Sequence, residues 1–311
     1  MKILQFLTLS LLFSLAVFSQ SVTVIARNPS RQTLSITTAS SLPPTNIEMV
    51  YSQNLNSAGG SGTKTWRISS GSLPVGLAFD TTAGVISGIA RSVGTSVFTA
   101  RVTDGSGAKA DKVFTLQVVA VTNSVTVEGD SRTVGYPVAI NLTYPVKLQA
   151  LLGPTWRVRN VAANGQTTDN MLADAPTQVD AFRDASLKRD VVILWTGIND
   201  INDSNRTGQY IYNNILDYAR GKKAISFEMW VCTEIPGVVA AEREIARLNF
   251  NQLIKANYSP ADKLIDLNAL AAFASKDNTT YYQPDRLHLT EAANEVLANT
   301  FFKLLKQPRR H

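Results

Sequence analysis

Ser124-Val125-Thr126-Val127 is a short apolar run rich in β-branched residues, and it leads into Glu128-Gly129-Asp130-Ser131-Arg132. Such a run, closed by a glycine and polar residues, reads as a buried strand that delivers its next turn to a sheet edge. Further candidate strands follow at residues 156–162, 191–195, 224–231 and 263–267, with amphipathic stretches between them. Strands alternating with helical segments predict an α/β domain with a parallel five-stranded sheet over residues 124–311. Ile211, Ile215, Leu216 and Ala219 share one helical face, and Gly221 is placed to end that helix. Ala293, Val296, Leu297, Thr300, Phe301 and Leu304 form a second stripe, with Thr290 set to cap its start and Glu291 at the positive end of its dipole.

Upstream the pattern changes. Residues 35–119 are rich in Ser, Thr, Gly and Val and alternate with period two. Phe98, Ala100 and Val102 are offset by Thr99, Arg101 and Thr103; Phe114, Leu116 and Val118 by Thr115 and Gln117. Turn signals such as Asp104-Gly105 separate the runs, so an antiparallel β-sandwich is expected. Trp66, Gly71, Leu73-Pro74, Gly76-Leu77, Phe79-Asp80, Gly84, Ile86-Ser87-Gly88, Gly94 and Val102-Thr103-Asp104 together resemble the Ig-like modules of bacterial surface proteins. That resemblance implies a spacer or a weak binding unit.

The chain has 311 residues, 44% hydrophobic and 17% charged, enough for two packed cores. Lys2 precedes an apolar stretch at residues 3–18 that is too short and interrupted for a membrane span and reads as a signal peptide over residues 1–19. A secreted protein, periplasmic or extracellular, is therefore expected, with no later membrane segment. Cys232 is the single cysteine, which rules out an intrachain disulfide and a cysteine-built metal site. The net charge of +6 is scattered except at Lys303, Lys306, Arg309 and Arg310, and no recognition motif accompanies it, so nucleic acid is not expected as a partner. Asn-x-Ser/Thr sequons stand at Asn141, Asn202, Asn205, Asn257 and Asn278.

In an open parallel sheet the ligand site lies beyond the carboxyl ends of the strands. The segments expected there are Gly129-Asp130-Ser131, Asn164-Gly165, Gly197-Ile198-Asn199-Asp200 and, before the last helix, Asp285-Arg286-Leu287-His288. In this order they resemble the blocks of the SGNH (GDSL) hydrolases, serine esterases on a flavodoxin-like three-layer fold. The resemblance implies Ser131 as nucleophile, with Asp285 and His288 completing the triad. It also implies the Ser131 amide, Gly165 and the Asn199 side chain as oxyanion-hole donors, and no cofactor.

Chemistry supports the same roles. A serine hydroxyl attacks only when a base takes its proton, and neutral imidazole suits that task. His311 is terminal, so His288 is the base, and Asp285 three residues earlier can hold its tautomer. Asp130 and Asp200 are expected to support their loops. A metal site from Asp130, Asp200, Asp285 and His288 would lack paired histidines, so no metal is expected. Two positions depart from the family pattern. Arg132 stands where an aliphatic residue is common and is a candidate contact to an anionic or hydroxyl-rich substrate; Ala293 replaces a frequent glycine. The reading is a secreted serine esterase of small acyl esters, acetyl groups on a carbohydrate first. Lipase, lysophospholipase or thioesterase activity and a non-catalytic glycan-binding or adhesion role are the alternatives.

Overall fold

The computed structural model describes residues 32–237 and 240–308. The expected signal peptide, Arg309, Arg310 and His311 lie outside the described residues.

The N-terminal region is built of strands β1 (Ser35–Ile36), β2 (Thr45–Asn46), β3 (Val50–Asn54), β4 (Ser57–Ala58), β5 (Thr65–Gly71), β6 (Leu77–Asp80), β7 (Val85–Ile89), β8 (Gly94–Thr103) and β9 (Lys109–Val119). They form sheets ordered β2-β9-β8-β5 and β3-β7-β6 with a small β1-β4 pair. The period-two alternation puts Phe98, Ala100 and Val102 of β8 and Phe114 and Leu116 of β9 in the core, with Trp66 and Ile86 beside them. Phe98 and Phe114 stack with ring centroids 5.8 Å apart. One pairing is not antiparallel, since β2 runs parallel to β9 at the edge. Asp104 forms the expected turn by accepting the Ser106 and Ala108 amides, the Ser106 hydroxyl and, from another loop, the Ser61 amide. Led by the Ser106 hydroxyl, these donors hold its carboxyl down to about 2.

The C-terminal domain carries a parallel sheet of β10 (Asn123–Gly129), β11 (Trp156–Asn160), β12 (Arg189–Trp195), β13 (Glu228–Cys232) and β14 (Lys263–Ile265), in the order β11-β10-β12-β13-β14. Its helices are α1 (Ser131–Val134), α2 (Tyr144–Leu152), α3 (Thr168–Gln178), α4 (Ile198–Asn202), α5 (Gly208–Ala224), α6 (Glu244–Ala256) and α7 (Glu291–Leu305). Helices cover both faces, which is why residues 191–195 read as a continuous apolar run. Val125, Val127, Ile193 and Trp230 pack with Tyr144 and Leu148 of α2 and Leu297 and Phe301 of α7. Val192, Leu194 and Met229 pack with Met171 of α3, Ile211 and Ile215 of α5, and Phe250 and Ile254 of α6. Thr290 caps α7 as expected, its hydroxyl accepting the Ala293 amide. Cys232 is buried in the core, and burial pushes its thiol up.

Several element boundaries differ from the sequence expectation, among them the end of β11, which stops at Asn160 and not at residue 162. α5 runs through Gly221 to Ala224, and the left-handed residue that ends this stretch is Ser226, with φ 69°. The strand expected from Ala224 begins only at Glu228, because its first apolar residues finish the helix and make the turn. Strand β14 stops at Ile265 and gives way to a 3₁₀ turn at Leu267–Ala269. Asn202, one of the sequon residues, is buried in α4, where its amide donates to the Gly237 carbonyl.

Candidate active site

Strand β10 ends against its neighbour so closely that a Cβ on Gly129 would lie 2.5 Å from the Trp195 carbonyl oxygen. The next residue, Asp130, is the N-cap of α1, its carboxylate accepting the Arg132 amide at 2.9 Å. Ser131 thus sits at the first position of a helix, where the backbone amide has no intrahelical partner. Its N–H donates to no acceptor among the described residues.

The Ser131 hydroxyl lies 2.8 Å from His288 Nε2, and His288 Nδ1 lies 2.6 Å from Asp285 Oδ2. Asp285 also accepts the Leu287 and His288 amides through Oδ1, at 3.0 and 2.9 Å, so the carboxylate shapes the turn that carries the imidazole. Partial burial pushes the Asp285 carboxyl up, but hydrogen bonds from the His288 ring and these amides outweigh it and hold it below the ordinary aspartate value. The Tyr136 ring meets the imidazole edge-on, centroids 4.9 Å apart, and is half exposed at the rim.

Gly165, in the loop after β11, and Asn199, in the first turn of α4, come together. The segment after β11 is tied to the end of β10 by the Ala163 amide, which donates to the Gly129 carbonyl at 3.2 Å. Gly165 adopts φ 73°, a left-handed conformation suited to glycine, and its amide donates to no acceptor among the described residues. Asn199 Nδ2 gives one hydrogen to the Gln166 carbonyl at 2.9 Å, which leaves the other for a ligand. Asp200 is wholly buried and accepts the Thr168 amide and hydroxyl at 2.9 and 2.6 Å, pinning the start of α3 beside this loop. Its burial pushes its carboxyl up against those donors.

The expected substrate contact by Arg132 is corrected. The side chain is 0% exposed, folded under the turn between Asp130 and Glu234, so it cannot reach a ligand at the edge. Ala293, the other departure from the family pattern, is buried in the first turn of α7 and packs in the core. Sequence reasoning missed Glu234 and Tyr136. No motif surrounds Glu234; for Tyr136 the only signal was an aromatic five residues after Ser131.

A family profile described as GDSL-like Lipase/Acylhydrolase matches residues 127–296, and one described as "Putative Ig domain" matches residues 19–119. No curated protein matches the chain in sequence. Among solved structures, a lipolytic protein of the G-D-S-L family from Veillonella parvula DSM 2008 shares 17% identity at a TM-score of 0.51, over 60% of this chain and 100% of that one. TesA shares 18% at 0.48, over 59% and 98%. Axe2, an acetylxylan esterase from Geobacillus stearothermophilus, shares 19% at 0.48, over 61% and 97%. Of these three only the Veillonella protein passes a TM-score of 0.5, and at 17% identity that likeness concerns the fold alone. The profile, however, spans more than half of the chain and includes the Gly-Asp-Ser turn, and on that ground the chain belongs to the GDSL-like lipase/acylhydrolase family of ester-bond hydrolases.

Proposed function

We propose that the chain is a secreted serine esterase that removes small acyl groups, acetyl first, from a carbohydrate. The observation that carries the reading is the unbroken line from Ser131 Oγ through the His288 ring to Asp285, at 2.8 and 2.6 Å. Ser131 Oγ attacks the ester carbonyl while His288 Nε2 takes its proton, and Asp285 keeps the other ring nitrogen protonated and oriented. The carbonyl oxygen becomes an oxyanion facing the Ser131 and Gly165 amides and the spare Asn199 hydrogen. One such donor is commonly worth about 10²- to 10³-fold in turnover. The C–O bond to the alcohol then breaks, and His288 returns the proton to the leaving oxygen. Water repeats the sequence on the acyl-serine, releasing the acid and restoring the hydroxyl.

A carbohydrate acceptor is supported by the half-exposed Tyr136 ring beside His288, a surface on which a sugar ring can stack, and by the appended Ig-like region. A panel of chromogenic acyl esters of increasing chain length, with acetylated oligosaccharides alongside, tests the reading. Fastest turnover of acetyl esters and release of acetate from the sugars is expected. A preference for long acyl chains would move the assignment to a lipase or lysophospholipase. Inactivity on every ester would leave a binding protein.

A further inference from the structure

Beneath the Ser131 turn lies a charged cluster that takes no part in the proton relay. Arg132 Nε and Nη2 donate to the two Asp130 oxygens at 3.0 and 2.7 Å, and Nη1 and Nη2 donate to the two Glu234 oxygens at 2.8 and 3.0 Å. The guanidinium carbon stands 4.4 Å from the centre of the Trp195 ring, and all three charged side chains are 0% exposed. Glu234 is itself fixed through its backbone. Its carbonyl accepts Arg247 Nη1 at 2.8 Å and Asn251 Nδ2 at 2.7 Å, and its amide donates to Asn251 Oδ1 at 2.8 Å. Gly197, the N-cap of the helix that carries Asn199, packs on the same carboxylate, where a Cβ would stand 3.6 Å from Oε1.

We propose that Arg132 is a positioning residue: it bolts the Ser131 turn to Glu234, and so sets the Ser131 hydroxyl and amide in register with the Asn199 turn. The proposal rests on the serine-esterase reading above. Helix α1 has only four residues, too few to hold its own shape. Its N-cap carboxylate is the same one that Arg132 grips, so the guanidinium reaches Ser131 through Asp130. Buried ion pairs are commonly matched or exceeded in stability by apolar residues of similar size, so folding alone does not call for this cluster. Catalysis does, because a displacement of about 1 Å at a reacting group can cost about 10²-fold.

The test exploits that difference. In Asp130→Asn/Arg132→Leu/Glu234→Leu the asparagine keeps the cap and the leucines fill the space, so a purely structural cluster would be replaced without kinetic effect. The expected result is a folded variant, by circular dichroism and thermal melting, whose kcat on a small acetyl ester falls about 10²-fold. KM should stay within about threefold, and inactivation by an organophosphonate should slow in parallel. Arg132→Lys, which keeps the charge but not the fork, is the second arm should the triple variant fail to fold, and should lose at least about tenfold in kcat. A folded variant of either kind with kcat within about threefold of wild type overturns the proposal. Ser131→Ala assayed in parallel separates the two readings: if it stays active the esterase mechanism itself fails, and if it is dead while the folded variants are active only the positioning role fails.

Discussion

At the scale of single residues, the proposed relay predicts losses that differ in kind. Ser131→Ala removes one hydroxyl from a helix start and should leave the melting curve in place while turnover falls by up to about 10⁶-fold, since triad members act as a unit. Activity within about tenfold of wild type in the folded variant would end the nucleophile assignment. His288 takes the Ser131 proton, so His288→Ala should remove most of the activity from a chain that still folds. Asp285→Asn should cost about 10⁴-fold, because an amide can donate to Nδ1 and hold the wrong tautomer. Turnover within about tenfold of wild type in either folded variant would contradict the role given to that residue. The three residues of the proposed relay could be singled out in the sequence because each stands in a short polar segment next to a strand or helix boundary. Glu234 is not, because its partner Arg132 is 102 positions away and only the strand order brings β10 and β13 to one edge.

At the scale of elements, the apolar stripes and runs locate the helices and strands well where both periods are clean, as in α7 and β12. They fail at residues 221–227, where a short apolar run follows a helix and the local pattern fits either continuation. The same strand that delivers Ser131 holds a polar residue no pattern would place inside. Glu128 is fully buried on the face of β10 opposite Val125 and Val127, and the Tyr218 hydroxyl of α5 donates to it. Burial dominates and pushes its carboxyl up to about 7, from an ordinary 4.5. The unfolded chain therefore loses this proton first as the pH rises, so the native state is penalised progressively between about pH 4.5 and 7 and uniformly above. The penalty is about 3 kcal/mol. Glu128→Gln should accordingly match wild type in urea denaturation near pH 4 and exceed it near pH 8. Parallel stability curves for the two proteins across that range would show that the carboxyl does not titrate in the folded state as described.

At the scale of the whole molecule, polar contacts among the described residues join the two regions at the start of β11. The Asn46 amide donates to the Pro154 carbonyl at 2.8 Å, Glu48 pairs with Arg157, and the chain crosses from β9 to β10 in three residues. The proposed relay and oxyanion donors all follow residue 123, so a fragment beginning there should fold and turn over a small soluble ester at close to the full-length rate. A folded fragment with most of its activity lost would mean that the sandwich contributes to the site. The contacts at Pro154 and Arg157 lie where β11 begins, whereas Ser131 lies just past the end of β10. Strand β10 is seven residues long, so about 20 Å of sheet separates the two ends. The sandwich is thus a pedestal, and the reactive edge looks away from it. Anchored to a solid support through the Asp104 turn, at the end of β9 away from the crossing into β10, the enzyme should keep its mouth open to large branched polymers that would be shut out were it fixed the other way round.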